Sequence, residues 1–256
     1  MTQINTPTTT SPVALISGAN RGIGLQVAKD LAAHGFAVVV GSRNLQRGQE
    51  AAAEIGANAS AVQLDVADGD SIAAAADHIR TRFGRLDVLV NNAGVSFLGD
   101  QNTPLPVRAS SGLLSVVPLD IVRQIYEINV FGVIALTQAL LPLLRSTAGS
   151  RVVIVGSGGG SLAANADTDN PHRQMFGVYS ASKTALHAVS LAFATALAPD
   201  GIPVNTVDPG MTSTALNDFQ GTKSVEQGAA HIVEVALRGT DGPTGTFTSD
   251  EGPVPW

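Results

Sequence analysis

Cysteine is absent from the 256 residues, so disulfides, thiolate metal sites and a cysteine nucleophile are excluded. Aromatic residues make up only 4%, and a core has to be built mainly from Ala, Val, Leu and Ile. The net charge of −6 comes without a long basic run, which argues against nucleic acid as a main partner. A local basic pocket for a phosphorylated ligand is still compatible with it. No apolar run approaches the roughly 18 to 20 residues of a membrane span, so no membrane partner is expected. Residues 1–11 are polar and Thr-rich, without the basic start and apolar stretch of a secretory signal. They read as a loose tail, residues 12–256 as one domain, and the default location as cytoplasmic. The five histidines, His34, His78, His172, His187 and His231, show no ligand spacing, and no metal is expected.

What is present is a 44% hydrophobic content cut into alternating short and long segments. Residues 13–17 form an apolar run ending in glycine, as a buried strand does. Residues 22–33 carry Ile23, Val27, Ala28 and Leu31 at helical spacing, and Gly35 closes that helix. By the same reading, strands are expected at 37–40, 61–64, 86–90, 151–155, 203–207 and 245–248. Helices are expected at 46–55, 71–83, 122–144 (in one piece or two), 178–197 and 225–237. This alternation predicts an α/β, doubly wound (Rossmann-type) parallel sheet with helices on both faces. Two stretches break the rhythm. Residues 96–118 carry Pro104, Pro106 and Pro118; residues 161–177 carry Asn165, Asp167, Asp169, Asn170, Pro171 and His172. Both read as irregular loops that follow strands, where loops border the ligand crevice of an open sheet. Substrate contact is expected there.

The first strand leads into Gly18-Ala-Asn-Arg21-Gly22-Ile-Gly24. Glycines let the backbone turn tightly and let a pyrophosphate approach, and the helix N-terminus adds free N–H groups and positive dipole. A turn of this kind alone can be purely structural; its place between first strand and first helix points to a dinucleotide. The second strand ends in Gly41-Ser42-Arg43-Asn44. An acid here would bind a ribose 2′-OH, yet none occurs between Phe36 and Gln49. Arg43, with Arg21 nearby, suits a 2′-phosphate instead. NADP(H) is therefore the expected cofactor, with NAD(H) as the other candidate.

Tyr179-Ser-Ala-Ser-Lys183 opens an expected helix, and the spacing puts Tyr179 and Lys183 on one face. A free tyrosine titrates near pH 10; a nearby ammonium favours the phenolate and is expected to lower that value. Tyr179 can then serve as general acid toward a carbonyl or base toward an alcohol. The same spacing is common in ordinary amphipathic helices.

Taken in order, Ser17-Gly18-Ala-Asn-Arg-Gly22-Ile-Gly24, Asp65-Val66, Asn91-Asn92-Ala93-Gly94, Asn129, Gly156-Ser157, Tyr179 to Lys183 and Asp208-Pro209-Gly210 resemble the classical short-chain dehydrogenase/reductase family. Ser42-Arg43-Asn44 and the final Gly242-Pro-Thr-Gly-Thr-Phe247 resemble its carbonyl-reductase-like branch. The match is looser at Gly156, Asp208 and Thr212, and the segments before Asn129 and before Tyr179 are longer than in compact members. The resemblance implies Tyr179 as acid/base and Lys183 as ligand of the nicotinamide ribose and modulator of Tyr179. It implies Ser157 as hydrogen-bond partner of the substrate oxygen, with Ser161 as the fallback, and Asn129 as holder of a relay water. Cofactor contacts are implied for Gly18, Asn20, Arg21, Gly22, Ile23, Gly24, Arg43, Asp65 and Val66. They are also implied for Asn92, Ala93, Gly94, Pro209, Gly210, Thr212 and Thr214. The expected partner is a small carbonyl or alcohol, with a homo-oligomer or a monomer both open. The readings are an NADPH-dependent ketone or aldehyde reductase, an alcohol or hydroxysteroid-type dehydrogenase working oxidatively, or a non-catalytic dinucleotide sensor.

Overall fold

A computed structural model describes residues 10–100, 103–239 and 241–256. The tail expected at 1–11 lies, for residues 1–9, outside the described residues. Strands β1 (Val13–Ser17), β2 (Ala37–Ser42), β3 (Ala59–Gln63), β4 (Val88–Asn91), β5 (Arg151–Val155), β6 (Val204–Val207), β7 (Phe247–Ser249) and β8 (Gly252–Pro253) form one sheet of order β3-β2-β1-β4-β5-β6-β7-β8. All pairs are parallel except the β7–β8 hairpin. β1 is fully buried, and its side chains alternate between two cores. Val13 and Leu15 enter the cluster on one face, Ala14 and Ile16 the cluster on the other. That double burial is why the strand reads as continuously apolar.

Around the sheet lie α1 (Gly22–Ala33), α2 (Leu45–Ile55), α3 (Gly69–Phe83), α4 (Leu105–Ser111), α5 (Leu119–Tyr126), α6 (Gly132–Ser146), α7 (Leu162–Ala166), α8 (Val178–Leu197) and α9 (Val225–Leu237). The strand order reverses between β1 and β4, which opens a crevice at the C-terminal ends of those strands. The doubly wound α/β architecture expected from the alternation is the one observed.

Several expectations need correction. The segment 96–118 is not wholly irregular, because α4 occupies its centre. Pro104 caps α4 and Pro106 sits in its first turn, where a missing N–H costs nothing. The segment 161–177 likewise contains α7, capped by the Ser161 hydroxyl, and a short 3-10 turn at Arg173–Met175. The helix expected at 122–144 runs from Leu119 to Ser146, because a π-helical turn at Glu127–Phe131 joins α5 to α6. By length and composition this 28-residue run is apolar enough to cross a membrane (mean hydropathy 1.6), contrary to the reading that no such run exists. Half of its most apolar window is buried, with α5 against α8 and α6 against α3. At the far edge, the last strand begins at Phe247 rather than Gly245. Gly245 takes a positive φ of 71° that ends extended geometry before the strand begins. The β8 partner was not anticipated.

Candidate active site

The crevice is built from the turns that leave β1, β4, β5 and β6. In the first, Gly18 and Gly22 adopt φ of 65° and 55°, a region that glycine occupies without strain. A Cβ on Gly18 would lie 3.0 Å from the Ala93 Cα. The turn is held from below. Asn92 Nδ2 donates to the carbonyls of Ser17 and Gly18 at 2.9 and 3.3 Å. The N–H groups of Asn92 and Ala93 both donate to Ser17 Oγ at 3.0 Å. No side chain caps α1, so its N-terminus faces the crevice with donors suited to a phosphate. The bare glycine cradle and this uncapped helix fit a dinucleotide pyrophosphate.

Arg21 and Arg43 are both exposed and follow adjacent strands, Ser17 of β1 being in register with Gly41 of β2. Among the described residues neither forms an ion pair with a carboxylate. Asp65 is partly exposed and accepts from the Ala67 N–H at 3.0 Å. Val66 is 7% exposed and belongs to the core, its backbone pressed against Gly132. Asn20 and Ile23 are half-buried in the turn and first helical residues.

The loop after β6 closes over the same region. Pro209 and Gly210 follow Asp208, whose Oδ1 accepts the Gly210 N–H at 3.0 Å. Thr212 is buried and donates to the Pro209 carbonyl at 3.0 Å. Thr214 comes across to Gly22, its Cγ2 standing 3.5 Å from where a Gly22 Cβ would be. The trio after β4 divides: Asn92 and Ala93 brace the glycine turn, whereas Gly94 lies at the catalytic end. A Cβ on Gly94 would stand 3.3 Å from Asn129 Oδ1 and 3.6 Å from Lys183 Nζ.

There the sequence's four catalytic candidates meet. Tyr179 and Lys183 occupy the first turns of α8. The Tyr179 hydroxyl is in hydrogen-bonding reach of Ser157, which follows β5. Lys183 is 4% exposed, and its Nζ donates to the Val155 carbonyl at 2.9 Å. Asn129, fully buried in the π-helical turn, accepts the Val95 N–H at 2.8 Å. It donates to the Val95 carbonyl at 2.8 Å and to Ser182 Oγ at 3.0 Å. Ser161 is buried too, but it caps α7 and its hydroxyl points to the Trp256 carbonyl at 3.4 Å, so Ser157 is the serine that faces Tyr179.

The expected lowering of the tyrosine is not found. Burial pushes Tyr179 up to about 12; the Ser157 hydrogen bond works against this, and the negative charge of Asp208 adds to it. The Lys183 ammonium stands 5.9 Å from the ring centroid and is engaged by a carbonyl instead. Burial draws Lys183 itself down to about 8, partly offset by Asp208. Burial outweighs the ion's field because both groups sit in low dielectric.

Sequence reading named two neighbours without giving them a place in the site. Asp208 places Oδ2 2.7 Å from the Cβ position of Gly158, beside Ser157. His187, one turn beyond Lys183, is 3% exposed and its Nε2 lies 3.3 Å from the Ser157 N–H. The helical spacing Tyr179, Lys183, His187 was the signal that could have found it. Among the described residues no group of His, Asp and Glu is arranged to hold a metal.

Residues 12–224 match the family model described as short chain dehydrogenase. A short-chain dehydrogenase of Penicillium roqueforti is 34% identical over 90% of each chain. A (+)-neomenthol dehydrogenase of Capsicum annuum is 28% identical, covering 94% of this chain and 96% of its own. Among solved structures, salutaridine reductase from Papaver somniferum superposes with a TM-score of 0.78 at 28% identity, covering 94% of this chain and all of that one.

Proposed function

The chain belongs to the short-chain dehydrogenase/reductase family, and on that premise we propose that it reduces a ketone or aldehyde to the alcohol with NADPH, Tyr179 acting as general acid. The family binds a nicotinamide dinucleotide, which supplies the hydride when bound. The observation that carries the reading is the half-buried, hydrogen-bonded pair of Tyr179 and Ser157. With its pKa near 12, Tyr179 holds its proton at neutral pH, as a donor to a carbonyl oxygen must. Two hydroxyl donors facing one point stabilise the negative charge that gathers on oxygen as hydride arrives at carbon. The proton from Tyr179 then completes the alcohol, and the Lys183 ammonium favours the phenolate left behind.

Lys183 is held to Val155 and close to Gly94, which supports its role beneath the nicotinamide ribose. Asn129 is tied to Val95 and Ser182, beside the Lys183 ammonium, in the place where a relay of protons would pass. Arg43 and Arg21, without a carboxylate partner among the described residues, support the choice of NADPH. A charge-assisted bond is worth roughly 1.5 to 3 kcal/mol, so one contact favours NADPH about ten- to a hundredfold. The hydroxyl pair of Ser157 and Tyr179, with Lys183 and Asn129 beside it, makes a sensor role the poorer explanation, since a sensor has no need of that set.

The test is a spectrophotometric screen of ketones, aldehydes and secondary alcohols with both cofactors in both oxidation states. Ketone or aldehyde reduction at neutral pH with NADPH preferred is expected. Tyr179→Phe should lose roughly 10²- to 10⁴-fold in turnover while NADPH still binds. Full turnover in Tyr179→Phe, or a wild type that prefers NADH, would overturn the assignment it addresses.

A further inference from the structure

His187 is a buried polar group beside the candidate serine that the proposed chemistry leaves without a task. It lies on the α8 face that carries Tyr179 and Lys183, in successive turns of the helix. Its Nε2 is 3.3 Å from the Ser157 amide nitrogen. A backbone N–H can only donate, so Nε2 is an acceptor, and the neutral ring carries its proton on Nδ1. Nδ1 is buried and finds no partner among the described residues. A buried unpaired N–H is costly, and the fold keeps it while satisfying Nε2.

The space around the ring is shaped to it. A Cβ on Gly156 would stand 2.8 Å from Nε2, and one on Gly160 would stand 2.9 Å from Cε1. These glycines flank Ser157 on both sides. Behind the ring, Phe247 packs at 4.3 Å and Trp256 at 6.1 Å between centroids. The charged neighbour is Lys183 on the same helix; the strand and turn side brings glycines, Thr206 and Phe247. Burial, reinforced by the Lys183 charge, holds His187 down to about 4.

We propose that His187 is a positioning residue: its neutral ring fixes the Ser157 peptide from behind and thereby aims the Ser157 hydroxyl at that of Tyr179. The inference rests on the reading of Ser157 and Tyr179 as the reacting pair. A ring wedged between two glycines cannot shift without displacing the turn, and an aimed hydroxyl loses less freedom when the oxygen charge develops.

Two variants separate the hydrogen bond from the packing. His187→Leu keeps an apolar body and removes the acceptor; His187→Gln offers a carbonyl oxygen in its place. With 9,10-phenanthrenequinone as carbonyl probe and NADPH, His187→Leu should lower kcat about tenfold. KM and NADPH affinity, the latter by fluorescence titration, should stay within about twofold, and His187→Gln should restore most of kcat. Nitrogen-15 spectra of the wild type at pH 7 should show a neutral ring protonated on Nδ1, and the Ser157 amide proton should move upfield in the Leu variant. Equal losses in both variants, an unchanged kcat in the Leu variant, or a ring protonated on Nε2 would overturn the proposal. If the wild type reduces no carbonyl, the catalytic reading fails by itself, while the ring tautomer and Ser157 amide still decide what His187 holds. Should the Leu variant not fold, the tautomer in the wild type and the Ser157 amide in the Gln variant decide it.

Discussion

The turns after β1, β2 and β3 and the loops after β4, β5 and β6 solve the same problem by different means. On the proposed cofactor side the connections are short, at 18–21, 43–44 and 64–68; glycine and the Asn92 bonds set the first, and the Asn44 cap and the Asp65 turn set the other two. On the proposed substrate side the connections run through 92–118, 156–177 and 208–224, and loops from the first and last of these bond to each other. Arg108 of α4, 4% exposed, pairs with Asp218 at 2.8 Å, and its guanidinium lies over the Phe97 ring. Ser96 Oγ donates to the Leu216 carbonyl at 2.9 Å, and Val178 N–H donates to the Gly112 carbonyl at 2.8 Å. One side is set by bonds local to each turn. The other is held by contacts between loops distant in sequence.

The sharpest way to break this contrast is Gly18→Val. A β-branched residue at φ 65° beside Ala93 is strained by roughly 1 to 3 kcal/mol. NADPH affinity should fall by about a hundredfold by fluorescence titration, while protease sensitivity of 208–224 stays as in the wild type. Undiminished affinity would show that the turn is not what shapes the cofactor side. Asp218→Ala acts on the other side. It removes one partner of the buried Arg108, which keeps its bond to the Thr103 carbonyl, at a cost of about 1.5 to 3 kcal/mol. The cost should appear as faster proteolysis in 103–118 and 208–224 and a higher KM for the carbonyl probe. If the global melting point drops instead and the loops are cut no faster, the loops are not a separate unit.

A smaller effect sharpens the cofactor side. Arg43→Asp should reduce the ratio of kcat/KM for NADPH over NADH ten- to a hundredfold, and an unchanged ratio would remove Arg43 from the phosphate site. The smallest concerns stability against pH. Because His187 is held near 4 in the fold and titrates near 6.5 when unfolded, the unfolded chain takes up the proton first as pH falls. Stability therefore falls below pH 6.5, by about 1 kcal/mol between pH 6.5 and 5.5 from this group. Denaturant melts of wild type and His187→Gln should differ by that much in this window and run parallel above pH 7. Parallel curves throughout would mean that the ring is not buried in its neutral form.

The same contrast explains what could be read from the sequence. α1, α8, α9, β1 and β5 appear at the residues expected, because periodicity and glycine stops are local properties. The clustering of Ser157, Tyr179, Lys183 and Asn129 followed from family order, with the Gly18 turn as its local anchor. α4 was hidden because Pro104 and Pro106 look like breakers until one knows that they fall at a helix start. Arg108 with Asp218 joins two loops distant in sequence, and no local pattern encodes such a pair. The pKa of Tyr179 went the other way because spacing reveals a neighbouring lysine but says nothing of how dry the site is.

The π-helical turn at Glu127–Phe131 has a consequence of phase. Each residue of an α-helix advances about 100° around the axis, so a one-residue widening offsets everything that follows it. Here the offset lets Asn129 look toward Lys183 while Leu136, Leu140 and Leu144, further along the same rod, look into the core. Deleting one residue from the turn would restore an ordinary helix and rotate one set against the other. The chain could then aim its asparagine or seat its leucines, but not both, so this local miscount acts as a clutch between the chemistry and the core.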